Sequence, residues 1–208
     1  MSIRNNYAGM QLYKFLKSRI LPFIGRFLKT PNQVTLLGFG IAIIVPFGFY
    51  ADPIFGLLIM SLSGLFDILD GMMAKKQNRL TLFGALLDSS LDRVSDFCFL
   101  IGFWILFWGT GQEISAAILT FIACLFTFMI SYIKARAEGL GCTIEKGLME
   151  RGLRTLYLIV WVLFIVIFRK LIETILWTGL ILFCVLTLIT VLQRFFEVHL
   201  FFMEVDGL

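Results

Sequence analysis

Residues 67–92 read DILDGMMAKKQNRLTLFGALLDSSLD, and this stretch decides how the chain folds. It carries four aspartates, Asp67, Asp70, Asp88 and Asp92, yet it lies between apolar runs long enough to enter a bilayer. Asp67 and Asp70 stand i, i+3 and share one helix face; Asp88 and Asp92 stand i, i+4 and share another. A short turn around residues 78–81 would bring the two faces together at one membrane interface. A charged side chain near the bilayer centre costs about 2.5–3.5 kcal/mol even on insertion scales. The four carboxylates must therefore sit near helix ends, face a polar cavity and be neutralised. With no His or Cys close by, they form a hard, all-oxygen site that suits Mg²⁺ or Mn²⁺, and their number suggests two ions.

The rest of the composition agrees. Hydrophobic residues make up 59% of the 208, charged residues 15%, and Phe occurs 23 times. An average globular chain is about a quarter charged, so the solvent for this much apolar surface is lipid. The same arithmetic excludes a disordered chain, a disulfide scaffold, collagen and a coiled coil. Cys98, Cys124, Cys142 and Cys184 stand apart, indicating neither disulfides nor a thiolate metal site.

A spanning helix needs about 20 mostly apolar residues. Residues 30–51, 53–74, 97–112 (extended backward into the Asp-bearing segment), 114–133, 153–168 and 174–193 supply six. Ahead of them, Leu12, Phe15, Leu16, Ile20, Phe23, Ile24 and Phe27 recur at helical spacing. Lys14, Lys17, Arg19, Arg26 and Lys29 are interleaved among them. This pattern predicts an amphipathic helix on the membrane surface, bent at Pro22; the alternative is a basic arm that only fixes topology. The expected fold is an all-α integral membrane protein, six transmembrane helices preceded by an N-terminal amphipathic surface helix. Residues 1–33 form the juxtamembrane segment and 34–208 the membrane catalytic domain.

All lysines and arginines except Arg169 and Lys170 fall on one side of this layout. By the positive-inside bias, both termini and the Asp site face the cytosol of a cell membrane. Topology and anionic lipid account for the net charge of +4, so no nucleic-acid partner is expected. The N-terminus shows no cleavable signal, and targeting is expected from the later apolar segments. The single histidine, His199, reads as an interfacial side chain, and Asp96 as a polar packing partner one turn beyond Asp92.

Small residues accompany the acids: Gly71 beside Asp70, Ala74 one turn on, Gly84 one turn before Asp88. The whole pattern, Asp67-x-x-Asp70-Gly71-x-x-Ala74-Lys75-x8-Gly84-x3-Asp88-x3-Asp92, resembles the signature of the CDP-alcohol phosphotransferases, membrane enzymes of phospholipid synthesis. Lys75 stands where that family most often has Arg. Pro31-Asn32-Gln33-Val34-Thr35 looks like the family's entry to its first membrane helix.

The resemblance implies transfer of a phosphatidyl group from a CDP-linked lipid such as CDP-diacylglycerol to an alcohol, with release of CMP. It implies Asp67, Asp70, Asp88 and Asp92 as ligands of a Mg²⁺ pair (Mn²⁺ being possible), with Asp92 also the general base. It places Asn32, Thr35, Asp67, Asp70, Gly71, Ala74, Lys75 and Thr81 at the CDP group, and it implies a homodimer. Residues 131–139 and 150–154 look like stretches of the phosphatidylinositol-phosphate synthase branch. Lys134, Arg136, Arg151 and Arg154 would then bind a phosphorylated acceptor, since Arg forks match phosphate oxygens. Inositol phosphate is the first candidate, glycerol 3-phosphate the second and a neutral alcohol the third; the bland reading is positive-inside decoration paired by Glu138, Glu145 and Glu150. A small transporter would use intramembrane acids as an ion path, but it would spread them over several spans near the midplane. A membrane scaffold would leave the carboxylate spacing unexplained.

Overall fold

The structure, a computed structural model, describes residues 7–78, 81–144 and 147–206. Arg4, Arg79, Glu145 and Lys146 lie outside the described residues, as does the side chain of Leu12. Described residues form α1 (Tyr7–Phe15), a π-helical turn (Leu16–Ile20), α2 (Leu21–Phe27), α3 (Pro31–Ala51), α4 (Pro53–Gln77) and α5 (Leu82–Ile105). α6 (Glu113–Gly139), α7 (Arg151–Ile167), a 3₁₀ turn (Arg169–Leu171) and α8 (Ile172–Asp206) follow. No strand occurs among the described residues.

Local chemistry sets the helix starts. Gln33 Oε1 accepts the N–H groups of Lys29 (2.9 Å) and Thr30 (3.2 Å), and the Gln33 N–H reaches Thr30 Oγ1 at 3.4 Å. This is a capping box, with Pro31 in the first helical position where a missing N–H costs nothing. Asp52 caps α4 with a single bond, its Oδ1 accepting from Ile54 N–H at 2.8 Å, again with proline first. Thr81 Oγ1 accepts the Gly84 N–H at 3.0 Å and caps α5.

Among the described residues, four stretches are long and apolar enough to cross a bilayer: α3, α4, α6 and Arg169–Val205, which takes in all but the last residue of α8. α5 carries Asp88, Asp92, Arg93 and Asp96, and α7 has 17 residues, which is why these two fall short on composition and length alone. The chain is thus all-helical and crosses the membrane several times.

Two departures from the expected layout have clear causes. The third apolar run was expected to stay helical to Gln112, but α5 ends at Ile105 and turns follow. Gly109 and Gly111 adopt φ of +84° and +76°, a left-handed geometry that glycine alone adopts freely. Glu113 Oε1 then gathers their N–H groups at 2.7 and 3.2 Å. The N-terminal segment, expected as a helix bent at Pro22, runs helical without a break from Tyr7 to Phe27 but widens over Leu16–Ile20. Pro22 has no N–H and crowds the preceding turn. The chain widens into the π turn, where the Leu21 N–H reaches back to the Leu16 carbonyl.

The helices fall into two compact units, Met1–Ile44 with Ile59–Ser95, and Val45–Leu58 with Asp96–Leu208. In the first, Leu16, Leu21, Val34, Leu69, Met72 and Met73 form the core. The N-terminal segment therefore buries Leu16 and Leu21 against α3 and α4, while Phe15, Phe23 and Phe27 stay exposed. Ser63 Oγ donates to the Gly38 carbonyl at 2.9 Å, tying α4 to α3. In the second unit, Ile130, Ile133 and Val191 pack α6 on α8. Phe103 stacks on Trp161 at 4.1 Å, and Tyr157 Oη donates to the Gly179 carbonyl at 2.7 Å.

Candidate active site

In the first unit, α4 and α5 bring carboxylates together as the spacing predicts. One ligand oxygen from each of Asp67, Asp70 and Asp88 lies within 4.8 Å of the other two. Asp92, half-buried, stands outside this triad one turn further along α5. Asp70 is only 6% exposed and lies beside the Thr35 side chain, whose Oγ1 donates to the Pro31 carbonyl at 3.2 Å. Asp70 Oδ2 is buried with no hydrogen-bond partner. A buried acceptor left in this state costs about 1–3 kcal/mol, and three close carboxylates repel one another. A divalent cation removes both penalties, so the donor set fits one.

The small and polar residues around the triad have distinct places. A Cβ on Gly71 would meet nothing within 4 Å, so the surface beside Asp70 is open. A Cβ on Gly84 would lie 2.8 Å from Thr81 Oγ1 and 3.2 Å from Asn32 Oδ1; glycine there lets the α5 start, Thr81 and the α3 start meet closely. Ala74 is half-buried and Lys75 exposed on the same helix.

The basic residues of the second unit separate into two kinds. Lys134 and Arg136 are exposed on α6, Lys134 within 3.9 Å of Glu138. Arg154 is only 3% exposed. Its Nη2 donates to Asp96 Oδ2 at 2.8 Å and its Nη1 to the Met149 carbonyl at 3.0 Å. Arg151 is half-buried at the start of α7. Arg194, assigned from sequence only to topology, is buried on α8. It donates to the Ile130 carbonyl and interacts electrostatically with Arg154, Glu150, Glu197 and Glu138.

Residues 28–202 match the CDP-alcohol phosphatidyltransferase family. The chain belongs to that family. It is a CDP-alcohol phosphatidyltransferase, with the triad on α4 and α5 inside the matched segment. Among its relatives is the archaetidylinositol phosphate synthase of Pyrococcus horikoshii, 32% identical over 81% of this chain and 82% of that one. The phosphatidylinositol phosphate synthase of Mycobacteroides abscessus is 33% identical over 82% and 77%. The crystal structure of the phosphatidylinositol phosphate synthase of Mycobacterium tuberculosis with CDP-DAG bound superposes with a TM-score of 0.74. It shares 30% identity and covers 88% of this chain and 93% of that one. The same mycobacterial enzyme has been solved in complex with manganese and citrate.

Arg194 reads from sequence only as a topology charge, and Asp96 as a polar packing partner whose mate is not named. Arg194 directly follows the charge-free run 174–193 of α8, and a charge at the edge of such a run signals a function or a paired interior position. Asp96 carried the same signal, but its partner Arg154 lies 58 positions away, beyond any local pattern. His199 is exposed, and the four cysteines are free.

Proposed function

We propose that this phosphatidyltransferase moves a phosphatidyl group from CDP-diacylglycerol to the hydroxyl of inositol phosphate, releasing CMP. The observation that carries the reading is the Asp67, Asp70 and Asp88 triad with its orphaned Asp70 oxygen. Asp67, Asp70 and Asp88, joined by Asp92, would hold two Mg²⁺ ions. When bound, Mg²⁺ supplies Lewis-acid polarisation of the diphosphate and neutralises charge developing on the departing CMP.

The chain's own residues supply the rest. The open surface at Gly71, with Ala74 and Lys75, borders the cytidine diphosphate, and Asn32, Thr35 and Thr81 contribute from the α3 and α5 starts. Thr35 also lies beside Asp70. Asp92 accepts the proton of the acceptor hydroxyl as its oxygen attacks phosphorus. Lys134, Arg136, Arg151 and Arg154, together with Arg194, hold the acceptor phosphate. The two guanidiniums of Arg154 and Arg194, buried and mutually repelling, favour an anion between like charges. The names of the relatives support inositol phosphate over glycerol 3-phosphate or a neutral alcohol.

α5 and α7 complete six membrane crossings, their charges turned inward. The basic segment 1–33 lies at the cytosolic interface, with Phe23 and Phe27 toward lipid, and feeds the catalytic domain 34–208. Both termini and the site face the cytosol, and two copies associate as a homodimer.

The test follows CMP release by purified protein in detergent with CDP-diacylglycerol and Mg²⁺. Inositol 1-phosphate, glycerol 3-phosphate, free inositol, serine and phosphatidylglycerol are added singly. Release with inositol 1-phosphate that EDTA abolishes is the expected result. Preference for a neutral alcohol would return the arginines to a topological role, and silence with every acceptor and with ether-lipid donors would remove the reaction itself.

A further inference from the structure

We propose that Asp96 is a positioning residue for the acceptor: its carboxylate holds the Arg154 guanidinium in the one orientation that meets the acceptor phosphate. This rests on the assignment of Arg154 made above.

Three observations converge on it. Asp96 and Arg154 form an enclosed ion pair, with side chains 7% and 4% exposed and the charges 2.8 Å apart. The second terminal nitrogen of Arg154 is tied to the Met149 carbonyl at 3.0 Å, so α5 and the segment entering α7 together fix the plane of the guanidinium. Arg154 Nε and Arg194 Nε are both buried without a hydrogen-bond partner. Donor capacity toward an anion thus remains after the guanidinium has been fixed.

Stability alone does not account for such a pair. Apolar side chains of similar volume are often as stable as a buried ion pair or more so, and a carboxylate in a membrane helix is costly. An arginine side chain is also long and carries about 2 kcal/mol of rotamer entropy. Ligand donors must be held to within about 0.5 Å of the productive geometry. A short aspartate on a rigid helix, anchored to one edge of the guanidinium, supplies that constraint.

The test is steady-state kinetics of the full chain in detergent with CDP-diacylglycerol, Mg²⁺ and inositol 1-phosphate, reading donor and acceptor KM separately. Asp96→Ala should raise acceptor KM roughly 10- to 100-fold, the scale of a remote misplacement, and leave donor KM within about twofold. Asp96→Asn keeps an acceptor oxygen in place and should recover most of the loss. Asp96→Glu keeps the charge but displaces it and should recover less, which also decides the matter if the alanine variant does not fold. In an Arg154→Ala background, Asp96→Ala should add nothing to acceptor KM, because residues acting through one another are not additive.

Equal rises in both KM values, full additivity with Arg154→Ala, or rescue by Glu but not Asn would each overturn the proposal. Arg154→Ala with unchanged acceptor KM, in an enzyme that uses inositol phosphate, would overturn the role of Arg154 and this inference with it. A wild-type enzyme that uses only neutral acceptors would overturn the acceptor reading instead.

Discussion

Asp70 and Asp96 are almost equally buried, at 6% and 5% exposure, and they live in opposite surroundings. Asp70 sits among two further carboxylates, with one oxygen that no donor satisfies. Asp96 sits against a guanidinium at 2.8 Å. Burial of a carboxylate therefore does not reveal its role; the sign of its neighbours does. The first arrangement raises the energy of the metal-free protein and creates affinity for a cation. The second is neutral as it stands and fixes the direction of an arginine. Asp88 and Asp96 make the same contrast on one helix, eight positions apart.

The comparison can be broken in several ways, beginning with the largest effect. Removing the metal with EDTA, or one triad member with Asp70→Ala, should lower CMP release on the order of 10³-fold or more. That corresponds to several kcal/mol of lost charge stabilisation; activity that persists would mean the triad is not a metal site. Asp92→Asn should cost roughly 10²–10⁴ in turnover, the range for a lost general base, while donor binding measured by titration is kept. Near-normal turnover would leave Asp92 with no part in proton transfer.

A third pair of variants separates the two surroundings directly. In metal-free protein, Asp70→Asn should raise the thermal unfolding midpoint by relieving like-charge repulsion, a stability gain where activity is lost. Asp96→Asn should lower it, with about 2 kcal/mol of stability lost, since it leaves the buried arginine without its countercharge. Shifts of the same sign would erase the contrast. The smallest effect belongs to Arg169→Ala, which breaks a half-exposed pair with Asp52 at 3.1 Å. Less than about 1 kcal/mol should be lost on unfolding, because exposed pairs contribute little.

The carboxylate triad could be read in advance because its members are local in sequence. Asp67 and Asp70 lie within one helical turn, Asp88 lies on the next helix, and the connection between them is short. Geometry then leaves few ways to place them. The start of α3 was equally accessible, since Thr30, Pro31 and Gln33 form a capping box from four consecutive residues. The end of α5 was not, because an apolar run through Phe107 and Trp108 hides the two glycines that stop the helix. The inward turn of Leu16 and Leu21 was hidden as well: helical spacing shows that a face is apolar but not whether lipid or protein covers it.

The sequence by itself determined that the chain is built of membrane helices and that two of them carry a cluster of carboxylates, an oxygen-only donor set that could hold a cation. Both follow from composition and from spacings shorter than two helical turns, which the rigid geometry of the α-helix converts into position. Tertiary structure alone decided which charges are matched. Asp96 meets Arg154 and Arg194 meets the Ile130 carbonyl across separations of 58 and 64 residues. No local periodicity encodes such distances; they exist only once helices have packed and the cost of an unpaired buried charge has selected its partner.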